Sequence, residues 1–410
     1  MKFSPVPIFI GFLAWFSFYC HAQFNLPLDS SAFVDTHTKP VVFQKKQTFA
    51  FPNGVGFSND FPSARLNGIA QDNETTFTIL IRPENSPIND SPWYAFKVWA
   101  GEDIMIRINL IYEHGNHRYW PKVSENGSDW RKIPREDYHS DALGTSFQIE
   151  VSADTLWVAA QEILPFQDAS DWSDKLAGAR NYVTKKIVGQ SALGRPIIKL
   201  EENAPVNQNK ILVISRQHPP EVTGYMAMKS FVETIWGQSD LAKEFRRRFD
   251  MIVYPMVNPD GVDMGHWRHN AGGVDLNRDW HFYRQPEVRA IFEDITRIVR
   301  KRGTKIYFGG DFHSTWSDLF YLNEQDTLAY IPGLIPEVLE GMALQIPDFE
   351  PDDRPGGYLS PTSKSWFYNY LHAAAVTYEV GDSTDREVIR ERGKAAAVSL
   401  MKILLERVKK

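Results

Sequence analysis

Two imidazoles and two carboxylates carry the chemistry this chain is equipped to do. His218-Pro219-Pro220-Glu221 stands directly after the apolar run Ile211 to Ile214 and directly before a helical stretch. In α/β sheets, ligands gather beyond the carboxyl ends of strands, so the position suits a site. The two prolines stiffen the turn and fix His218 relative to Glu221. His313, in Gly309-Gly310-Asp311-Phe312-His313-Ser314, closes another apolar run. Alone, such a histidine reads as a hydrogen-bonded structural residue. With His218 and Glu221 it completes two imidazoles and a carboxylate, the ligand set of a catalytic zinc site that keeps its fourth position open for water. Glu379 lies in Val376-Thr377-Tyr378-Glu379-Val380, an acid in an apolar strand. A metal-activated water would give it a partner, and Glu379 the part of general base; a carboxylate facing solvent is the plain alternative. Asn258-Pro259-Asp260-Gly261, Arg268 and the stretch Gly273 to Trp280, with Asn277 and Arg278, add amide and guanidinium donors of the kind that bind carboxylates.

The elements that position these residues fall into two grammars. From about Thr75 to Ala160 the pattern has period two: Phe77, Ile79 and Ile81; Ile104, Ile106, Ile108 and Leu110; Phe147, Ile149 and Val151. That pattern predicts antiparallel strands in a sandwich. Its tryptophans, among them Trp93, Trp99, Trp120, Trp130 and Trp157, read as core in preference to a sugar-stacking face. The polar run Gln167 to Asp171 reads as a connector. Beyond it short apolar runs alternate with helical stretches: Ile211 to Ile214 then Val222 to Trp236, Met251 to Val257, Pro286 to Val299, Ile306 to Phe308, and Ala374 to Val380 then Asp385 to Val408. This alternation predicts an α/β domain around a parallel or mixed sheet. Thr384-x-x-Glu387 predicts a capping box on the last helix.

Composition narrows the class. At 410 residues, 43% hydrophobic and 23% charged, the chain is long enough and apolar enough for two cores. A net charge of -6 without a basic stripe sets nucleic acid aside. Lys2, the apolar run Val6 to Tyr19 and Cys20-His21-Ala22 read as a secretory signal. The expected organisation is a signal over 1–22, a β-sandwich over 23–165 and a catalytic α/β domain over 173–410, exported to the periplasm or beyond without stable membrane insertion. Cys20 is the single cysteine, so its loss with the signal leaves no thiol for a disulfide or a metal.

HPPE, NPDG, Arg268 with VDLNRDW, DFHS and YEVGD, in that order, resemble the zinc metallocarboxypeptidases of the pancreatic type over roughly residues 180 to 408. The sandwich, with SPWYAFKVWAG, Trp130-Arg131 and the Trp157 to Phe166 segment, is similar to the N-terminal domain of the cytosolic carboxypeptidase branch. The resemblance implies that His218, Glu221 and His313 bind one zinc ion and that Glu379 is general base and then proton donor. It implies that Arg268 stabilises the oxyanion, that Asn277 and Arg278 hold the substrate's terminal carboxylate, and that Asp275 orients a zinc-bound imidazole. Tyr358 stands near the position of the family's mobile tyrosine, and Lys364 near the base of its side-chain pocket, where an ammonium favours an acidic side chain. The expected activity is a carboxypeptidase acting on a peptide or a peptidoglycan stem peptide. A zinc amidase or deacylase of the same fold, and a binding protein on an inactive scaffold, are the alternatives.

Overall fold

The computed structural model describes residues 27–29, 31, 33–85, 92–141 and 144–409; the proposed signal, with Cys20, lies outside them. Period-two patterning yields two sheets. One runs in the order Gly68–Gln71, Thr76–Ile81, Ile104–Tyr112, Gly144–Val151, Tyr138–Asp141. The other is six-stranded and includes Ala95–Trp99 and Leu156–Ala159. Phe77, Ile79, Ile81, Ile106, Ile108, Leu110 and Phe147 turn inward and form their shared core. The sandwich is not wholly antiparallel as expected, because Thr76–Ile81 and Ile104–Tyr112 pair in parallel. The chain between them crosses to Ala95–Trp99 in the opposite sheet, and so re-enters from the same end. Trp93 is buried, and Trp130 and Trp157 pack against this core.

The second unit is an eight-stranded mixed sheet. Asp250–Tyr254, Asn209–Ser215, Lys305–Thr315 and Ala374–Gly381 are its parallel centre. Strands covered on both faces lose the polar alternation of the sandwich, hence the continuous apolar runs in the sequence. Phe308 and Phe312 meet Phe231 of the helix Val222–Ile235 on one face, with ring centroids 5.9 and 5.6 Å apart. The opposite face carries the helix Ser363–Leu371, whose Phe367 lies against Gly309. Asp311 and His313 alternate with Phe312, which aims them to this second side.

Three local expectations are corrected. The strand expected at Ile306 to Phe308 continues to Thr315, carrying His313 inside the sheet instead of after it. The polar run at 167–171 is no connector but part of the helix Phe166–Ala179. Its Ala169, Trp172 and Leu176 join the α/β core, while Gln167, Asp171, Asp174 and Lys175 face outward. The last helix, Arg386–Arg407, is capped by Asp385, whose Oδ1 accepts from the Glu387 and Val388 amides at 2.9 and 3.4 Å. Thr384 instead donates its hydroxyl to Asp318.

Gly224, in the first turn of Val222–Ile235, lets that helix approach the His313 strand backbone to backbone. A Cβ there would stand 2.2 Å from the His313 carbonyl oxygen. Gly224→Ala is expected to destabilise the fold by about 1–3 kcal/mol, the usual scale for overpacking. Thermal denaturation beside wild type checks this, and an unchanged melting temperature would refute the close packing.

Candidate active site

The site is built where the parallel strands end. Asn209–Ser215 runs into Arg216, which has a left-handed backbone with φ 55°. Its buried guanidinium donates from Nε and Nη2 to the Pro219 carbonyl at 3.1 and 2.7 Å, and also from Nη2 to Leu164 at 3.1 Å. This fork holds the His-Pro-Pro-Glu turn closed over the sheet. Glu221 then sits at the start of the next helix, its carboxylate between two imidazoles: 2.8 Å from His218 Nδ1 and 2.7 Å from His313 Nδ1.

The other ring nitrogens are held from behind. His218 Nε2 lies 3.0 Å from Asp275 Oδ1, and His313 Nε2 lies 2.6 Å from Asp311 Oδ2. Carboxylates at Nε2 fix the tautomer that presents Nδ1 to a metal and raise its basicity. One ligand atom from each of His218, Glu221 and His313 lies within 4.8 Å of the others, and all three residues are buried. Two nitrogens and a carboxylate oxygen suit zinc, and a site with three protein ligands keeps a position for substrate or water. Burial opposes the charge of Glu221, but the facing imidazoles hold it ionised, below the usual carboxylate range.

Glu379 is the register partner of His313 in the neighbouring parallel strand. Its Oε2 is buried and has no hydrogen-bond partner among the described residues. Burial pushes Glu379 up to about 7, with His313 pulling down and Glu221 pushing up. His218, Glu221, His313, Glu379, Arg268, Asn277, Arg278 and Lys364 all line one cleft of about 240 Å³. Arg268 is tied by Nε to Asp275 Oδ2 at 2.7 Å. Asn277 accepts from the Ser363 amide at 3.0 Å, leaving its Nδ2 toward His313. Arg278 donates to the Asn277 carbonyl at 2.8 Å and forms no ion pair with a carboxylate among the described residues. Lys364 is 4% exposed; its Nζ meets Asn323 Oδ1 at 2.5 Å and the Leu322 and Gly356 carbonyls at 3.2 and 3.3 Å. Burial lowers it to about 8, with Glu324 opposing.

Tyr358 is placed elsewhere. Its ring packs edge-on against Tyr368 at 5.9 Å and against the core, outside the cleft lining. The tyrosine that does line the cleft is Tyr321, on Leu319–Asn323. Two further residues escaped the sequence reading. Asp311 was visible as the residue two before His313, a spacing that shares a strand face. Arg118 reaches the cleft from the sandwich, where its Nε bonds Asp382 Oδ2 at 2.6 Å and its guanidinium stacks by Trp267 and Trp316. No local signal marks it.

The fold and the grouping of side chains are of the zinc carboxypeptidase type. The zinc carboxypeptidase family matches residues 169–319, and the cytosolic carboxypeptidase N-terminal domain matches residues 57–160. The chain thus carries a zinc carboxypeptidase domain preceded by a domain of the cytosolic carboxypeptidase N-terminal type. Cytosolic carboxypeptidase 3 of Bos taurus is 23% identical over 302 residues, 64% of this chain and 30% of that protein. Cytosolic carboxypeptidase 6 of Caenorhabditis elegans is 22% identical over 361 residues, 79% of this chain and 78% of that protein. The chain thus spans about a third of the length of the bovine relative and most of the nematode one. Among solved structures, a metallo-carboxypeptidase of Pseudomonas aeruginosa, in complex with (2-guanidinoethylmercapto)succinic acid, superposes with a TM-score of 0.71 at 21% identity. It is matched over 86% of this chain and 100% of that one, as is a metallo-carboxypeptidase of Burkholderia cenocepacia, with TM-score 0.71 at 17% identity. These likenesses establish the fold.

The export reading is corrected by the same findings. The two relatives named above are cytosolic carboxypeptidases and residues 57–160 match the N-terminal domain of that branch, findings that contradict secretion or the periplasm. Nor do these relatives support a peptidoglycan stem peptide as substrate. Among the described residues no helix is long and apolar enough to cross a membrane.

Proposed function

We propose that this chain is a metallocarboxypeptidase that removes the C-terminal residue of a peptide, with residues 23–165 as a sandwich domain and 173–410 as the catalytic domain. One observation carries the reading: His218, Glu221 and His313 converge within 4.8 Å beside Glu379, whose buried Oε2 has no hydrogen-bond partner among the described residues. His218 Nδ1, the Glu221 carboxylate and His313 Nδ1 would hold the zinc ion, with Asp275 and Asp311 orienting the rings. When bound, zinc polarises the scissile carbonyl and acidifies water. Glu379 takes the proton of the attacking water and returns it to the leaving nitrogen, a transfer made easy by an affinity near neutrality. The Arg268 guanidinium faces the charge that develops on the carbonyl oxygen. Arg278, a cation without an ion-pair partner among the described residues, and Asn277 take the terminal carboxylate of the substrate.

Lys364 gives the reading its finer detail. Its three donors rest on neutral oxygens, so its charge is unneutralised by direct contact, and a buried ammonium favours an anion. The pocket therefore prefers an acidic terminal side chain. The test is a set of peptides ending in Glu, Lys or Phe, assayed with wild type, Arg278→Ala and Lys364→Ala. Arg278→Ala is expected to raise KM for every peptide, and Lys364→Ala to remove the preference for Glu. Because Lys364 is charged below about 8 and neutral above it, the preference should fade as pH rises from 7 to 9. Absence of cleavage from any C-terminus would end the carboxypeptidase reading. A Glu preference that survives Lys364→Ala would end the assignment of Lys364.

A further inference from the structure

Arg268 stands on a stretch, 264–270, without helix or strand. Its side chain is tied to Asp275, but its backbone is held from the other domain. Glu84, at the end of the sandwich segment that follows Thr76–Ile81, is fully buried. Its Oε2 accepts the Trp267 amide at 3.0 Å, and its Oε1 accepts the Arg268 and His269 amides at 2.8 Å each. His269 Nδ1 stands 3.1 Å from the same Oε1. Three successive main-chain N–H groups, centred on Arg268, thus converge on a single carboxylate, the arrangement of an anion nest.

The surroundings make this contact firm. The Glu84 carbonyl accepts from the Val42 amide at 2.7 Å, and Asn85 Nδ2 donates to the Gly273 carbonyl at 3.0 Å. At Gly265, φ 66°, a Cβ would stand 2.3 Å from the Ala64 carbonyl oxygen, so the start of the loop lies flush on the sandwich. Burial opposes the charge of Glu84, but His269, His266 and Arg65 hold it ionised, well below the usual carboxylate range. A buried carboxylate that gave up these donors would be left uncompensated, which ties loop and domain together.

We propose that Glu84 is a positioning residue for hydrolysis, through which the sandwich domain sets the backbone of Arg268 and so aims its guanidinium into the cleft. The inference rests on the carboxypeptidase reading and on the oxyanion role of Arg268. It gives the N-terminal domain a part in the chemistry that needs no contact with substrate. Glu84→Gln keeps the size of the side chain but presents an amide to one of the three N–H groups and removes the charge.

The test is a double-mutant cycle on the full-length, zinc-loaded protein. Glu84→Gln is expected to lower kcat about 10- to 100-fold, the scale of small misplacements in a site, with KM within about twofold and zinc content unchanged. In an Arg268→Ala background the same substitution should cost nothing further, because its effect runs through Arg268. An equal loss in both backgrounds, or no loss in either, would overturn the proposal. Glu84→Asp, which keeps the charge but withdraws it from the loop, passes through the same cycle should Glu84→Gln fail to fold. Amide exchange needs neither variant nor activity: the Trp267, Arg268 and His269 amides of wild type should be protected, and free exchange there would overturn the nest itself. A wild type that is inactive yet protected at these amides would tell against the carboxypeptidase reading and leave the nest standing.

Discussion

Glu379→Gln is expected to give a folded, zinc-bearing protein whose turnover is lower by about 100-fold or more, the scale of a lost general base. Glutamine keeps the volume of the side chain, and the Oε2 it replaces has no hydrogen bond to lose. The fold should therefore be little disturbed. None of the three residues that converge for a metal is altered, so zinc content measured by elemental analysis should stay at one per chain. KM should move little, since Arg278 and Asn277 are untouched, and steady-state kinetics separates the two effects. A variant that retained near wild-type kcat would assign the proton transfer to another group.

Zinc removal should have a comparable effect on activity and an added effect on stability. Chelation is expected to reduce activity to background, and zinc added back to restore it. The bound ion is also a ligand of the native state alone, so its loss should lower the melting temperature. At a free zinc concentration 100 times the dissociation constant, the stabilisation forgone is about 2.7 kcal/mol. With the ion absent, Glu221 still faces both imidazoles, and its low proton affinity keeps that contact ionic. The apo protein should consequently remain folded near neutral pH, with a lower transition seen by calorimetry. Active protein devoid of transition metal by elemental analysis would refute the metal assignment.

The parts of this molecule that are legible in sequence are those whose partners lie nearby or share a strong period. The His-Pro-Pro-Glu turn announces itself because strand, turn and helix start are contiguous, and the sandwich strands because one face is buried and the other wet. The helix Phe166–Ala179 was hidden although Ala169, Trp172, Ser173 and Leu176 have the spacing of a helical face. Three aspartates and three serines or glutamines among its first nine residues outweighed that stripe. Glu84 and Arg118 were invisible for a different reason. Each acts on residues more than 180 positions away, Glu84 on His269 and Arg118 on Asp382, and only the docking of sandwich on sheet brings them there. Tyr358 lies outside the cleft lining, and an offset counted along the chain says nothing about which way a loop turns its ring.

The pairing of His313 with Glu379 across adjacent parallel strands restricts how this molecule can change length. The gap between the proposed metal ligand and the proposed proton acceptor is inherited from the spacing of the sheet, about 4.8 Å, and not from any loop. Losing or gaining one residue upstream in either strand would send that side chain to the opposite face, among Phe231 and the helix that carries it. Substitutions can reshape the rim of the cleft freely, whereas insertions and deletions are tolerable only outside Lys305–Thr315 and Ala374–Gly381. Descendants of this chain should therefore differ in the length of their connecting segments while keeping these two stretches free of gaps.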